Sequence, residues 1–140
     1  MTRLSPRLAT VLSRLPLQPG MRVLEIGCGP GALARAMAAR VGLEGHVLGI
    51  DRSARAVAQA IAGSPLEIAS GTLSFRLAAA EDFMLARGEV PFDMIVAVRV
   101  GALDGRHPEA GARAWPRLYA ALVPEGCIYV DGSQATGDRT

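Results

Sequence analysis

Val23-Leu24-Glu25-Ile26-Gly27-Cys28-Gly29-Pro30-Gly31 is the stretch that decides how this chain is read. An apolar run enters a loop with glycine at every second position, and an acidic residue stands two places before the first glycine. Small side chains let the backbone turn sharply and allow a ligand to lie directly on it. The residues that follow carry Leu33, Ala34, Met37, Ala38 and Val41 at helical spacing, which predicts a helix over Gly31–Val41. Such a loop presents backbone N–H groups and the positive end of a helix to whatever binds, and a nucleotide-like ligand is the first expectation.

Working outward, 140 residues suffice for one domain with a single core. Half the residues are apolar and 20% are charged, the composition of a globular chain and not of a disordered one. A net charge of +2 gives no footprint for nucleic acid. All 15 basic residues are arginine, and lysine and asparagine are absent, which reads as codon bias in a GC-rich genome. Cys28 and Cys127 make no disulfide framework and are expected as reduced thiols. The two histidines and two cysteines are too scattered for a metal-ligand pattern, so no metal is expected. No segment approaches the ~20 apolar residues of a membrane span. Arg3, Arg7 and Arg14 interrupt the N-terminal apolar residues, unlike a signal peptide, and a cytoplasmic location is expected.

Apolar and helical runs alternate along the chain. Strands are predicted at Met21–Ile26, His46–Ile50, Leu73–Leu77, Phe92–Val100 and Gly126–Val130. Between them, helices are predicted at Ala54–Ala62 with Ser53 as N-cap, at Leu66–Ser70, at Glu81–Arg87 and at Pro108–Leu122 with Pro124 as its stop. Leu4–Leu15 adds an amphipathic helix joined by Pro16–Gly20, so residues 1–20 read as a lead-in, 21–131 as the domain and 132–140 as a polar tail. Strands separated by helices imply right-handed crossovers and a parallel sheet covered on both faces. Ligands bind such sheets at the carboxyl ends of the strands, where strand order reverses, and the glycine loop fits that position.

Gly27-x-Gly29-x-x-Ala32, with Asp51 further on, also satisfies a dinucleotide fingerprint, a weak match by itself. No Gly-Lys-Ser/Thr follows, which excludes a P-loop. Glu25 discriminates: a carboxylate repels a pyrophosphate and attracts an ammonium group. A ligand with a ribose, an adenine and an amino-acid end suits Glu25 and Asp51 together.

Five segments in order carry a family resemblance: Val23–Gly31, Gly49-Ile50-Asp51-Arg52-Ser53, Ala80-Glu81-Asp82-Phe83, Phe92-Asp93-Met94-Ile95-Val96 and Leu122-Val123-Pro124-Glu125-Gly126. Over roughly residues 20–131 the chain resembles the class I S-adenosylmethionine-dependent methyltransferases. The resemblance implies an α/β, Rossmann-like three-layer αβα sandwich, with a mainly parallel sheet in the order 3-2-1-4-5 and S-adenosylmethionine lying across its carboxyl edge. It implies that Glu25 holds the methionine amino group, directly or through water, and that Gly27, Gly29 and Gly31 let the backbone, Cys28 included, pass beneath methionine and ribose. Asp51 would accept hydrogen bonds from both ribose hydroxyls, Arg52 would lay its stem along the adenine, and the Ala80–Glu81 backbone would meet the adenine edge.

The chain departs from the family in two places. Ala79 stands where an aspartate commonly bonds the adenine amino group, which turns attention to Glu81 and Asp82 as substitutes. The sequence also ends after the fifth predicted strand, without the usual last two, leaving an edge for a partner subunit, such as a second copy, to cover.

Plainer readings stand beside these. Glu25 could serve an edge salt bridge, although a buried strand makes that costly. Asp51 could cap a helix, and Glu81 and Asp82 could favour a helix start. Arg99 ends the fourth predicted strand, where the family places groups near the transferable methyl; it could hold an anionic substrate or be a solvated strand end. His107 reads first as a helix-start residue and second as a general base. Methyl transfer needs chiefly alignment of nucleophile, methyl and leaving sulfur, so no triad is required. The sequence has no Asn/Asp-Pro-Pro-Tyr after the fourth strand and no Pro-Cys pair, which favours a small-molecule acceptor over nucleic acid. The alternatives are an NAD-type oxidoreductase and a cofactor-binding module without turnover.

Overall fold

A computed structural model describes residues 4–136. Among the described residues six strands form one sheet in the order β3-β2-β1-β4-β5-β6. These are β1 (Arg22–Ile26), β2 (His46–Asp51), β3 (Leu73–Leu77), β4 (Phe92–Ala97), β5 (Leu122–Val130) and β6 (Ser133–Gln134). The first five run parallel, and β6 returns antiparallel against the end of β5. The helices are α1 (Pro6–Arg14), α2 (Ala32–Val41), α3 (Ala54–Ala62), α4 (Pro65–Ala69) and α5 (Pro108–Ala120).

Strand alternation sorts the core into two layers. Leu24, Ile26, Leu48, Ile50, Ile95 and Ala97 face Leu103 and the α5 residues Ala114 and Leu118. Val23, Val47, Met94 and Val96 face α1 and α2 through Leu12, Leu33, Met37 and Val41. The sheet is therefore covered on both faces, and β1 and β2 read as nearly continuous apolar runs because neither face meets water. Ser5 caps α1 by accepting from the Leu8 N–H at 3.2 Å, and Ser53 caps α3 by accepting from Ala56 at the same distance. None of the described helices is long and apolar enough to cross a membrane.

Four expectations need correction. Glu81–Arg87 is not a helix: only Ala80–Asp82 makes a single 3-10 turn, and the chain then runs irregularly to β4. Glu89 holds this stretch by accepting from the Ala86 N–H at 2.8 Å and from both terminal nitrogens of Arg76, which ties it to β3. The fourth strand stops at Ala97 because Val98–Val100 turns away into a loop. Pro124 does not end α5; the helix closes at Ala120, and Pro124 falls inside β5. The β4–β5 register shifts between Phe92 and Met94, whose partners are Leu122 and Cys127, so the proline occupies an irregular stretch without breaking a ladder. Finally, the polar residues after Val130 turn at Asp131–Gly132 and then form β6, so the sheet has a sixth strand and part of the β5 edge is paired from within the chain. Residues 137–140 of the expected tail, and Arg3 near the start, lie outside the described residues.

The turn between β5 and β6 lies on α1. Gly132 is buried with φ +87°, and a Cβ there would stand 3.2 Å from Cδ of Arg14 and 3.8 Å from Cα of Val11.

Candidate active site

The carboxyl ends of β1, β2 and β4 open into a cleft of about 800 Å³. That lies within the roughly 300–1,000 Å³ usual for small-molecule and cofactor sites. Its wall takes Ile26 and Gly27 from the end of β1, Asp51 and Arg52 from β2, Ala78–Glu81 after β3, Val98–Ala102 after β4, and Arg106 to Ala110 with Arg113 at the start of α5.

Of the residues expected from sequence, Gly27, Asp51, Arg52, Ala80, Glu81, Arg99 and His107 line this cleft. Glu25, Cys28, Gly29 and Gly31 do not; they form the layer next to it. The glycine loop is stitched to β2, with the Cys28 N–H donating to the Ile50 carbonyl at 2.9 Å and the Gly29 N–H to Oδ2 of Asp51 at 2.9 Å. The other oxygen, Oδ1, accepts from the Ser53 N–H at 2.9 Å. Asp51 thus fixes the loop while each of its oxygens keeps a second lone pair for a ligand.

The loop glycines differ in purpose. At Gly31, with φ +92°, a Cβ would stand 2.9 Å from Nη1 of Arg35, 3.1 Å from Phe75 and 3.2 Å from Ala60, so this glycine is demanded by packing. At Gly29, with φ +54°, a Cβ would meet nothing within 4 Å. Its bare backbone is open to an approaching ligand. Arg35 locks the loop from behind, donating through Nη1 to the Pro30 carbonyl at 3.1 Å and to the buried Ser64 hydroxyl at 3.0 Å.

Glu25 lies on β1 between Gly49 and Val96, only 3% exposed, and its Oε1 has no hydrogen-bond partner among the described residues. Desolvation, and secondly the negative charge of Asp51, push its pKa up from 4.5 to about 8. A salt-bridge role is thereby excluded among the described residues, since Glu25 makes none. Burial, helped by Glu25 and Asp51, likewise raises the Cys28 thiol to about 12, so it is no nucleophile at neutral pH. Gly49 opposite Glu25 leaves room for Phe75 and Cys28, either of which a Cβ would approach to 3.0 Å or less.

On the far wall, Glu81 pairs with Arg113 at 3.8 Å, whereas Asp82 is exposed and does not line the cleft. His107 is the N-cap residue of α5, matching its plainer reading, and its ring packs so closely on Gly101 that no side chain would fit there. Arg106 and Arg113 belong to none of the sequence motifs. Their signal is positional: they follow the carboxyl end of the fourth strand, where such sheets build their sites. Among the described residues no group of three or more His, Cys, Asp or Glu side chains could hold a metal ion.

A family model described as a methyltransferase domain matches residues 17–126. The chain belongs to the class I S-adenosylmethionine-dependent methyltransferases. This methyltransferase domain is 37% identical over 116 residues to nocamycin O-methyltransferase of Saccharothrix syringae, covering 82% of the chain and 39% of that protein. It is 33% identical over 122 residues to trans-aconitate 2-methyltransferase of Methylobacterium nodulans, covering 87% of the chain and 42% of that protein. The cyclopropane synthase MmaA2 of Mycobacterium tuberculosis superposes with a TM-score of 0.66 at 28% identity, over 89% of the chain and 40% of that structure. The chain spans less than half the length of each of these three proteins. The sheet order and glycine loop of the methyltransferase fold are thus those expected from the five sequence segments.

Proposed function

We propose that this chain binds S-adenosylmethionine and transfers its methyl group to a small-molecule acceptor. The observation that carries the reading is the buried, unpartnered Oε1 of Glu25 next to an open glycine loop. An orphaned carboxylate in a strand is costly unless a ligand completes it. A cationic amino group would draw off its proton and complete it as a carboxylate, whereas a pyrophosphate would only hold it protonated, which favours an amino-acid end over NAD.

When bound, the cofactor supplies an electrophilic methyl group on a sulfonium. The chain's own residues then orient and desolvate. Glu25 holds the amino group, and the bare Gly29 backbone admits the neighbouring ligand atoms. Asp51 accepts the ribose hydroxyls on the lone pairs left by Gly29 and Ser53. The Arg52 stem covers one face of the adenine, and the Ala80–Glu81 backbone meets its edge. Alignment of this kind supplies about 7–11 kcal/mol of rate enhancement without a dedicated base. Two relatives named for small molecules, nocamycin and trans-aconitate, support the acceptor class.

Calorimetric titration with S-adenosylmethionine, S-adenosylhomocysteine and NAD tests the cofactor: the first two bind and the third does not. Binding of NAD alone would overturn the reading. Labelled-methyl transfer to a panel of small acceptors, run beside protein and RNA acceptors, then tests the acceptor class.

A further inference from the structure

We propose that the acceptor side of this cleft selects a small carboxylate, held by the guanidinium of Arg99. The inference rests on the methyl-transfer reading and adds to it the charge of the acceptor.

The two walls of the cleft differ in sign. On the β2–β3 side the lining charges are Asp51, Arg52 and Glu81, where the carboxylates suit a cationic cofactor. On the β4–α5 side stand Arg99, Arg106 and Arg113, with Glu109 as the one lining carboxylate among the described residues. Two of these arginines are already engaged. Arg106 donates through Nε to both oxygens of Asp104, at 3.0 and 2.9 Å, and through Nη2 to the Arg99 carbonyl at 2.9 Å. Arg113 reaches Glu81. The guanidinium of Arg99 has no hydrogen bond or ion pair among the described residues.

Its backbone is fixed all the more firmly. Arg99 has φ +57°, a left-handed conformation uncommon for a residue with a long side chain. The Arg99 N–H donates to Oδ1 of Asp131 at 2.8 Å, and its carbonyl receives the Arg106 bond. The loop beyond is cross-braced, with Leu103 and Asp104 both donating to the Val100 carbonyl and His107 donating to Gly101. Charged groups on both sides therefore hold an unfavourable backbone in place, while Arg99 itself is exposed, lines the cleft and has a guanidinium without a partner among the described residues. Strain maintained in this way is a mark of a functional segment. A guanidinium on a rigid base suits the paired oxygens of a carboxylate, which it can bind through two parallel N–H donors. Arg99 is accordingly a specificity-determining residue, with no part in bond making.

The test uses the full chain saturated with S-adenosylhomocysteine, at constant ionic strength. Succinate and its neutral diamide are titrated calorimetrically into the wild-type protein and into Arg99→Gln and Arg99→Asn. Asparagine tolerates the left-handed backbone, so the second variant removes the charge without refolding the loop. Succinate is expected to bind the wild type and the diamide not. Both variants are expected to lose about tenfold or more in succinate affinity, the scale of a charge-assisted pair, with homocysteine-cofactor affinity unchanged. Equal succinate binding by wild type and variants, no binding to the wild type, or tighter binding of inorganic phosphate than of succinate would each overturn the proposal. If S-adenosylhomocysteine binds and the anion results fail, this inference alone falls. If S-adenosylhomocysteine does not bind, the methyl-transfer reading falls and takes the inference with it.

Discussion

The backbone N–H of Gly29 donates to Oδ2 of Asp51 at 2.9 Å, joining the loop after β1 to the end of β2. One carboxylate thereby shapes the cradle and, in the proposed function, holds the ribose. Asp51→Ala removes both, and we expect cofactor affinity to fall by about 1.5–3 kcal/mol, the worth of hydrogen bonds to a charged group. Far-UV circular dichroism should remain that of the wild type. Unchanged affinity for S-adenosylhomocysteine by calorimetry would remove Asp51 from the site.

Glu25 makes binding depend on pH. In the folded, unliganded chain it keeps its proton up to about pH 8, whereas an unfolded chain releases it near 4.5. The folded state therefore holds more protons than the unfolded state between those values, and unliganded stability falls as pH rises through them. A cationic group beside Glu25 favours the carboxylate, so binding in that window releases a proton and affinity rises with pH. Calorimetry at pH 7 in buffers of different ionisation enthalpy should show this release in the wild type and not in Glu25→Gln. The same variant should flatten the fall in thermal stability between pH 5 and pH 8. Buffer-independent heats in the wild type would contradict the assignment.

The two loop glycines should separate stability from binding. Gly31→Ala forces a Cβ against Arg35, Phe75 and Ala60 at positive φ, and overpacking of this kind costs about 1–3 kcal/mol in urea denaturation. Gly29→Ala meets no neighbour, so its cost is that of the left-handed backbone alone, about 1–2 kcal/mol. Its larger effect should be on cofactor affinity, because the new methyl stands on the open face of the loop.

Arg35→Met cuts the brace between Pro30 and Ser64 and strands a buried hydroxyl. Leaving such a group unsatisfied costs about 1–3 kcal/mol. Arg35→Met combined with Ser64→Ala should recover part of that loss, because the stranded hydroxyl is removed with its partner. A double-mutant cycle on urea denaturation checks the coupling; strict additivity would show that the two side chains do not act together.

Much of this fold is legible from residue pattern because its central strands are buried on both faces. Val23–Ile26 and Val47–Ile50 are unbroken by charge except at Glu25, and that exception is the carboxylate proposed to hold the cofactor's amino group. The α3 boundaries are equally readable, since Ser53 caps one end and Gly63 closes the other. Legibility fails where tertiary contacts replace periodicity. Glu81–Arg87 has a helical composition, but Phe83 is buried and Glu89 pins the segment to Arg76, which fixes an irregular course. Ser133–Gln134 is too short and polar to show a strand pattern, and it forms because the Asp131–Gly132 turn folds it back on β5. On the cleft wall, Asp51 and Gly27 are readable as motif members. Arg106 and Arg113 belong to no motif and meet the site only through the placement of α5.

The contact of Gly132 with α1 has a consequence for how this domain can be altered. Arg14 and Val11 seat Gly132, the neighbouring Asp131 grips the Arg99 amide, and Arg99 stands in the cleft. Helix α1 is thus joined to the proposed acceptor wall through the β5–β6 turn, while its Leu12 packs with α2, the helix that leaves the glycine loop held by Arg35 and Asp51. A substitution at Arg14, on the face of α1 that meets Gly132 and away from the core residue Leu12, would therefore shift the Arg99 end of the cleft, while the cradle of the cofactor keeps its own bonds to Asp51 and Arg35.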